Sequence, residues 1–176
     1  MLHEANQSTL VLVDLQQRLM PSIFEGERVI KEAVRLANIA RILEIPVIGT
    51  EQSPEGIGEN VSAVKQLCQQ TVVKQHFDGC EDGLIEAIHA NRRNVIVTGC
   101  EAHVCVLQTC AGLLKHGLNV TVVTDAIGSR ITANRDAAIA RLGKAGATLA
   151  TVEMVAFEWM RTSKHPRFKD VLTLVR

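Results

Sequence analysis

Apolar residues in this chain form short runs that alternate with longer segments of mixed apolar and polar character. The runs are rich in Val, Ile, Leu and Thr and predict buried strands at residues 9–14, 46–50, 71–74, 94–99, 119–125 and 147–152. Helical spacing between them predicts helices at residues 27–43, 82–90, 102–116 and 133–142, with a last helix in VAFEWMR, residues 155–161. SPEGIGEN, residues 53–60, lacks either period and is predicted to be a loop.

Strands that are continuously apolar and separated by helices are typical of a parallel sheet covered on both faces. The pattern therefore predicts an α/β fold with three layers, α/β/α, a six-stranded parallel sheet of Rossmann-like type and right-handed crossovers. No repeat or linker interrupts the 176 residues, so residues 1–176 are expected to form a single domain. Ligands bind such sheets beyond the carboxyl ends of the strands, so functional residues are expected there.

Charge and composition narrow the range of partners. Lysine plus arginine equals aspartate plus glutamate at 19 each, and no basic tract is present. Nucleic acid and anionic membranes are therefore not expected as partners. A chain with zero formal net charge is poorly protected against self-association, so a homo-oligomer, dimer or higher, is expected.

The start of the sequence and the cysteine count bear on the compartment. MLHEANQSTLVLVDLQ has an acid and amides where a secretory signal has positive charge, and its apolar run is too short for a membrane span. Five cysteines, an odd number, occur without a secretory pattern. We therefore expect a cytoplasmic protein with reduced thiols.

A nucleotide cofactor is not expected. The first predicted strand runs into VDLQQRL without a glycine-rich turn, and Gly56 and Gly58 lie in a loop and lack the third glycine of a dinucleotide site. No Walker sequence is present either. The sequence thus predicts a protein that acts on a small molecule without a cofactor.

Three cysteines lie in VIVTGCEAHVCVLQTC at a spacing of five residues. On a helix Cys105 and Cys110 point roughly 140° apart, and Cys100 precedes the helix, so the three do not form a compact metal site. Cys110 is most simply a core residue, as are Cys68 and Cys80, whereas Cys100 lies in the turn itself.

Cys105 differs because it lies in the first turn of a helix that follows a strand and a glycine turn. Free N–H groups and the helix dipole there favour a thiolate and lower its pKa, although position alone leaves a core role open. Asp14 and Lys74 end two other apolar strands, and each is costly to bury there unless paired. A nucleophilic thiol needs a base or a cationic neighbour to ionise it. Asp14 and Lys74 are candidates for these two neighbours.

Histidine is the alternative base. His103 is about 200° from Cys105 around the helix and faces away from the thiol. His76 follows Lys74 closely and would serve only if the fold turned it towards Cys105; as a loop residue it is also a candidate for the pocket wall.

Three segments together resemble a known family. VDLQQRL, VVKQHFDGC and VTGCEAHVCVLQT are similar, in this order, to the three characteristic regions of the isochorismatase-like cysteine hydrolases. TEQSPEGIGENV and VTDAIGSR resemble the uncharacterised isochorismatase-domain proteins of that family.

The resemblance implies a catalytic triad of Asp14, Lys74 and Cys105. Asp14 would take the thiol proton, Lys74 would hold both charges, and Cys105 would attack an amide carbonyl to form a thioester that water hydrolyses. It also implies a cis peptide bond between Cys100 and Glu101, with the N–H groups of Glu101 and Cys105 forming an oxyanion hole.

Departures from relatives narrow the reaction. Nicotinamidases of the family bind a metal through an aspartate-x-histidine sequence after the second strand, where this chain has Thr50-Glu51-Gln52, so no metal is expected. True isochorismatases lack the cysteine, so Cys105 argues against their reaction. Many relatives have threonine and aspartate where Glu101-Ala102-His103 stands, which leaves the substrate open. Candidate pocket residues are Gln16, Leu19, Phe24, His76, Phe77 and Phe157.

The sequence therefore predicts a metal-independent cysteine hydrolase that cleaves a small amide or related C–N bond. Two alternatives remain at this stage: a catalytically idle oligomeric scaffold or binding protein, and an ester or vinyl-ether hydrolase that uses the same pocket.

Overall fold

The computed structural model describes residues 2–175. Its strands are Ser8–Val13 (β1), Val47–Gln52 (β2), Gln70–Lys74 (β3), Asn94–Cys100 (β4), Asn119–Gly128 (β5) and Thr148–Ala150 (β6). Its α-helices are Gly26–Ile42 (α1), Pro54–Ile57 (α2), Ser62–Lys65 (α3), Leu84–Ala87 (α4), Leu107–Lys115 (α5), Thr132–Lys144 (α6), Val152–Met160 (α7) and Phe168–Val175 (α8).

The six strands form one parallel sheet in the order β3-β2-β1-β4-β5-β6. From β1 the chain adds β2 and β3 on one side of the sheet, and then β4, β5 and β6 on the other side. The strand order therefore reverses between β1 and β4, which is where ligands bind in folds of this type. Successive residues of β1 point to opposite faces, as the period of a strand requires. Leu10 and Leu12 pack in the core below α1 and α7, whereas Val11 and Val13 pack in the core below α5 and α6. The predicted three-layer α/β fold is confirmed.

Several elements differ from the sequence prediction, among them α3, which was not predicted. The predicted helix 82–90 is reduced to α4, because Gly83 at φ 102° separates it from a 3-10 turn at Gly79–Asp82. The strand predicted at 147–152 ends at Ala150, since the Thr151 side chain accepts a hydrogen bond from the Met154 N–H and caps α7. Helix α8 was not predicted; its Val171 is fully buried and the helix packs on α1 and α7.

Two segments after β2 and β4 have local structure that the apolar pattern does not predict. The predicted loop 53–60 contains α2, which begins at Pro54, a residue suited to the first turn of a helix. The predicted helix 102–116 opens with a π-helical turn at Ala102–Val106 and continues as α5. Wider turns of this kind often occur at functional sites.

None of the helices within residues 2–175 combines the length and the apolar character that crossing a bilayer would require.

Candidate active site

Asp14 and Lys74 meet at the carboxyl edge of the sheet. Asp14 follows β1 directly in the left-handed region at φ 48°, and Lys74 is the last residue of β3. The Lys74 Nζ lies 2.8 Å from Asp14 Oδ2, and the two side chains are 0% and 1% exposed. The ion pair offsets the cost of burying either charge alone, and losing one partner would leave the other uncompensated.

Cys105 approaches the same pair from the π-helical turn before α5. It is 7% exposed and packs in the core cluster between the sheet and α5. Its thiol interacts with both the Asp14 carboxyl and the Lys74 ammonium. The three residues that the sequence singled out are therefore brought together, from three separate segments of the chain.

The pKa of the Cys105 thiol is raised to about 12, and burial is the largest cause of the rise. The Asp14 carboxylate also raises this pKa, and the Lys74 ammonium lowers it. The expectation that the helix start lowers this pKa was therefore wrong, because burial next to a carboxylate outweighs the dipole. At neutral pH the group is therefore a thiol.

Two residues of β2, Thr50 and Gln52, complete the cluster. Sequence analysis used this position only to argue against a metal site. The Thr50 hydroxyl donates to Asp14 Oδ1 at 2.6 Å. Gln52 Oε1 accepts from Lys74 Nζ at 2.7 Å and lies 3.9 Å from Cys105 Sγ. Thr50 and Gln52 are two positions apart at the end of a strand, so their side chains share one face of the sheet. This spacing was the sequence signal that could have identified them.

The turn between β4 and Cys105 comes very close to β1. A Cβ atom added to Gly99, which has φ 115°, would lie 1.9 Å from the Val13 carbonyl oxygen, so only glycine fits there. The peptide bond between Cys100 and Glu101 is cis. The Glu101 carboxylate accepts hydrogen bonds from the Arg130 backbone N–H at 2.9 Å and from Arg130 Nε at 3.1 Å, which ties the turn to the loop after β5.

The candidate pocket residues that precede α1 have different surroundings. Gln16 is fully buried and bonds to backbone: Nε2 donates to the carbonyls of Gln52 and Gly58, and Oε1 accepts from the Gln52 N–H at 2.8 Å. The Gln16 side chain thus holds the end of β2 in place, and its amide is already engaged with backbone groups. Leu19 is partly buried against the core, and Phe24 is 52% exposed next to Ser129, whose carbonyl accepts from its N–H.

The remaining pocket candidates lie farther along the chain. His76 is exposed and its ring bonds to Asp82 at 3.1 Å, so it is not turned towards Cys105; its carbonyl accepts from Lys74 Nζ. Phe77 is 51% exposed, at the rim beyond β3. Phe157 packs on Phe168 with ring centroids 6.5 Å apart, on α7, whose buried residues belong to the core on the opposite face of the sheet from that of Cys105. The structure does not bring Phe157 to the site.

The other cysteines occupy separate places. Cys100 and Cys110 are fully buried in the two different cores, and burial raises the pKa of both thiols well above the ordinary range. Cys68 and Cys80 are partly buried. Every cysteine is a free thiol. His103 bonds to Ser129 Oγ through Nδ1 at 3.0 Å, away from the thiol.

The residues at the carboxyl end of β2 do not fit a metal. Thr50 and Gln52 already use their side-chain oxygens on Asp14 and Lys74. Across residues 2–175, no group of three or more His, Cys, Asp or Glu side chains is placed to hold a metal ion.

Sequence comparison supplies the family. Residues 8–154 match the isochorismatase domain. Isochorismatase domain-containing protein 2A of Mus musculus is 33% identical over 179 aligned residues, which cover 96% of this chain and 82% of the mouse protein. The chain belongs to the isochorismatase family. Membership in this family of hydrolases indicates hydrolytic chemistry in broad terms and leaves the bond and the substrate open.

Solved structures of isochorismatase-fold proteins agree with the architecture. The MAR1 ribonuclease from Caenorhabditis elegans superposes with a TM-score of 0.94 at 38% identity, covering 99% of this chain and 92% of that one. YcaC from Pseudomonas aeruginosa, with hexane-2,5-diol and covalent acrylamide, has a TM-score of 0.89 at 27% identity, covering 98% and 91%. The YcaC gene product of Escherichia coli, an octameric hydrolase of unknown specificity, has a TM-score of 0.86 at 24% identity, covering 98% and 95%.

Proposed function

We propose that this protein is a metal-independent cysteine hydrolase that cleaves a small amide or related C–N bond. The observation that carries the proposal is the buried ion pair of Lys74 and Asp14 in interaction range of the Cys105 thiol. A buried pair of opposite charges contributes little net stability, so stability alone does not account for it.

The first half-reaction begins with proton transfer from Cys105 Sγ to Asp14. Oδ1 of Asp14 already accepts from Thr50, and Oδ2 faces Lys74 with no other hydrogen-bond donor among the described residues. Oδ2 is therefore the oxygen that takes the proton. The thiolate attacks the amide carbonyl carbon, the C–N bond breaks, and the amine leaves with the proton held by Asp14.

The second half-reaction hydrolyses the thioester. A water gives its proton to Asp14, its oxygen attacks the acyl carbon, and the C–S bond breaks. The carboxylic acid leaves and the proton returns to Cys105. The backbone N–H groups of Glu101 and Cys105 serve as the oxyanion hole in both steps, next to the cis bond of the turn.

Two observations support a covalent mechanism without metal. The oxygens of Thr50 and Gln52 are engaged with the triad at the position where nicotinamidases have metal ligands. YcaC from Pseudomonas aeruginosa carries covalent acrylamide, an electrophile that thiolates attack, and that protein is 27% identical to this chain.

The test is a panel of small amides and matched esters, assayed with the native protein and with Cys105→Ala. We expect turnover of at least one amide, an acyl adduct on Cys105 by mass spectrometry, and a fall of at least about a thousandfold in Cys105→Ala. Neither turnover nor adduct with any compound would favour an idle scaffold, and turnover of esters alone would overturn the C–N assignment.

RNA belongs in the same panel because a relative of 38% identity is a ribonuclease. The zero net charge and the absence of a basic tract in this sequence do not favour RNA binding. RNA cleavage that is lost in Cys105→Ala would replace the amide proposal.

We also propose that the protein is a homo-oligomer. Its formal net charge is zero. Phe24, Phe77 and Ile131 are each more than half exposed, with exposures of 52%, 51% and 59%. Unpartnered apolar side chains favour association, and the Escherichia coli YcaC of the same fold is octameric.

A further inference from the structure

Gln52 is a polar side chain that contacts both Lys74 and Cys105. Its Oε1 accepts from Lys74 Nζ at 2.7 Å and lies 3.9 Å from Cys105 Sγ, within reach of a thiol hydrogen bond. The residue is partly buried, whereas Asp14 and Lys74 are almost fully enclosed. One amide oxygen therefore touches two members of the triad.

The orientation of this amide is fixed by its other end. Gln52 Nε2 donates to the Gln75 carbonyl at 2.8 Å and contacts Ser53 Oγ at 3.3 Å. A flipped amide would place an NH2 group against the Lys74 ammonium and an oxygen against the Gln75 carbonyl, and both contacts would be repulsive. The oxygen must therefore face Lys74 and Cys105.

The backbone of Gln52 is held as firmly as its side chain. Gln16 Oε1 accepts from the Gln52 N–H at 2.8 Å, and Gln16 Nε2 donates to the Gln52 carbonyl at 3.0 Å. These two hydrogen bonds join residues that are 36 positions apart in the sequence. The Gln16 side chain that makes them has no exposed surface. Positioning groups are effective when their own supports are locked in this way.

We propose that Gln52 is a positioning residue of the triad, whose amide oxygen holds the Lys74 ammonium against Asp14 and accepts the Cys105 thiol in the resting enzyme. The inference rests on the proposed cysteine hydrolase function and adds a fourth side chain to it. Gln16 acts one step behind, through the backbone of Gln52.

The charge of this acceptor sets the ionisation of the thiol. The charged groups that act on Cys105 are Asp14, directly after β1, and Lys74, at the end of β3; the Glu101 carboxylate is paired with Arg130. A neutral acceptor leaves the Lys74 charge available to a thiolate, whereas a carboxylate at the same place would take up that charge and repel the thiolate. An apolar side chain at position 52 would remove the hydrogen bond from the Cys105 thiol, which stabilises the neutral form.

Two nearly isosteric variants give opposite predictions. Cys105 alkylation by iodoacetamide is followed by residue-resolved mass spectrometry as a function of pH. Gln52→Glu should slow the reaction by at least about tenfold near neutral pH and shift the profile to higher pH. Gln52→Met should shift the profile to lower pH, while turnover of any amide substrate falls because Lys74 is held less well.

A matched control separates a local from a general charge effect. Gln17 is exposed in the segment after β1, and Gln17→Glu adds the same charge without touching Lys74; its profile should match that of the native protein. Gln52→Asn, which keeps the amide but withdraws its oxygen, should shift the profile in the same direction as Gln52→Met and serves if another variant fails to fold.

Profiles of the Gln52 variants that superimpose on the native profile, or that all move in one direction, would overturn the inference. A structural role alone would change the melting temperature without opposite shifts of the profile. Failure of the proposed function has a different outcome, in which the native profile is insensitive to substitution of Asp14 and Lys74 as well.

Discussion

Asp14 has two carboxylate oxygens in different surroundings. Oδ1 accepts the Thr50 hydroxyl at 2.6 Å, and Oδ2 lies 2.8 Å from Lys74 Nζ. The hydroxyl bond restricts the rotation of the carboxylate and leaves Oδ2 as the oxygen without a hydroxyl donor in the described part of the chain. Under the proposed mechanism, we expect Thr50 to orient Asp14 for proton transfer.

Thr50→Val should disable this orientation while preserving the shape of a fully buried side chain. The uncompensated Oδ1 should lower the free energy of unfolding by about 1–3 kcal/mol, and amide turnover should fall by about tenfold or more. Thermal unfolding and turnover measure the two effects. Thr50→Ser retains the hydroxyl and should keep most of the activity; equal losses in both variants would argue that the methyl group, and not the hydrogen bond, matters.

The triad could be predicted from the sequence because charged residues at the ends of apolar strands are costly unless they meet a partner. Parallel strands bring their carboxyl ends to one edge, which places Asp14 and Lys74 together without knowledge of coordinates. The roles of Thr50, Gln52 and Gln16 could not be predicted, because they depend on side-chain hydrogen bonds between residues 22 to 53 positions apart.

At the scale of elements, α5 depends on a close contact with the loop after β3. A Cβ atom added to Gly112 would lie 2.2 Å from Asp78 Oδ2 and 2.5 Å from Oδ1. Asp78 is held in place because its Oδ1 accepts from the Cys80 N–H at 2.9 Å. The contact fixes α5, which follows Cys105, relative to the strand that carries Lys74.

Gly112→Ala should therefore destabilise the protein. Overpacking costs about 1–3 kcal/mol, which exceeds the gain of about 1 kcal/mol that alanine gives in a helix. Chemical denaturation measures the difference. Gly56→Ala in α2, where an added Cβ atom meets nothing within 4 Å, is the control and should be neutral or stabilising. If the overlap with Asp78 is the cause, Gly112→Ala should cost less in an Asp78→Ala background.

Elements were predictable where the apolar pattern was long and uninterrupted, as in β1, β4 and α1. The pattern overestimated α4, because Gly83 ends the preceding turn in a left-handed conformation that the apolar spacing does not reveal. Helix α8 has apolar residues at positions 168, 171, 174 and 175, a helical spacing that was present but short. Its position is determined by packing on α1 and α7, a tertiary effect.

At the scale of the whole molecule, the N-terminal segment is tied to α7 and the sheet. The His3 N–H donates to Glu158 Oε2 at 3.0 Å, and its ring Nε2 lies 3.1 Å from Thr121 Oγ1. Arg161 Nη2 donates to the His3 carbonyl at 3.3 Å. Helix α8 also packs on α1 and α7, so both ends of the described chain pack against α7.

His3 makes stability depend on pH in a defined direction. Burial, opposed by Glu158, lowers the pKa of the His3 ring, so the folded state keeps it neutral while the unfolded state binds a proton first. The stability it contributes is present above about pH 6.5 and is lost as the pH falls below that value. Thermal unfolding from neutral to mildly acidic pH should show this loss, and His3→Gln should reduce it. The exposed His116, changed to Gln, should leave the dependence unaltered.

Self-association is the second prediction at this scale. Light scattering at micromolar concentration should give a particle larger than the 19.2 kDa chain. Replacing the exposed Phe24 and Ile131 by serine should shift the population to smaller particles if these residues lie in the interface. A particle of 19.2 kDa for the native protein would contradict the proposed oligomer.

The central claim is that Asp14 and Lys74 act on the Cys105 thiol with opposite sign. The most direct test is the pH dependence of Cys105 alkylation in the native protein, in Asp14→Asn and in Lys74→Met. The carboxylate raises the thiol pKa and the ammonium lowers it, so Asp14→Asn should be alkylated faster than the native protein near neutral pH and Lys74→Met more slowly. Amide turnover should be lost in both variants. Three coincident profiles with an ordinary thiol pKa of about 8.5 would contradict the account.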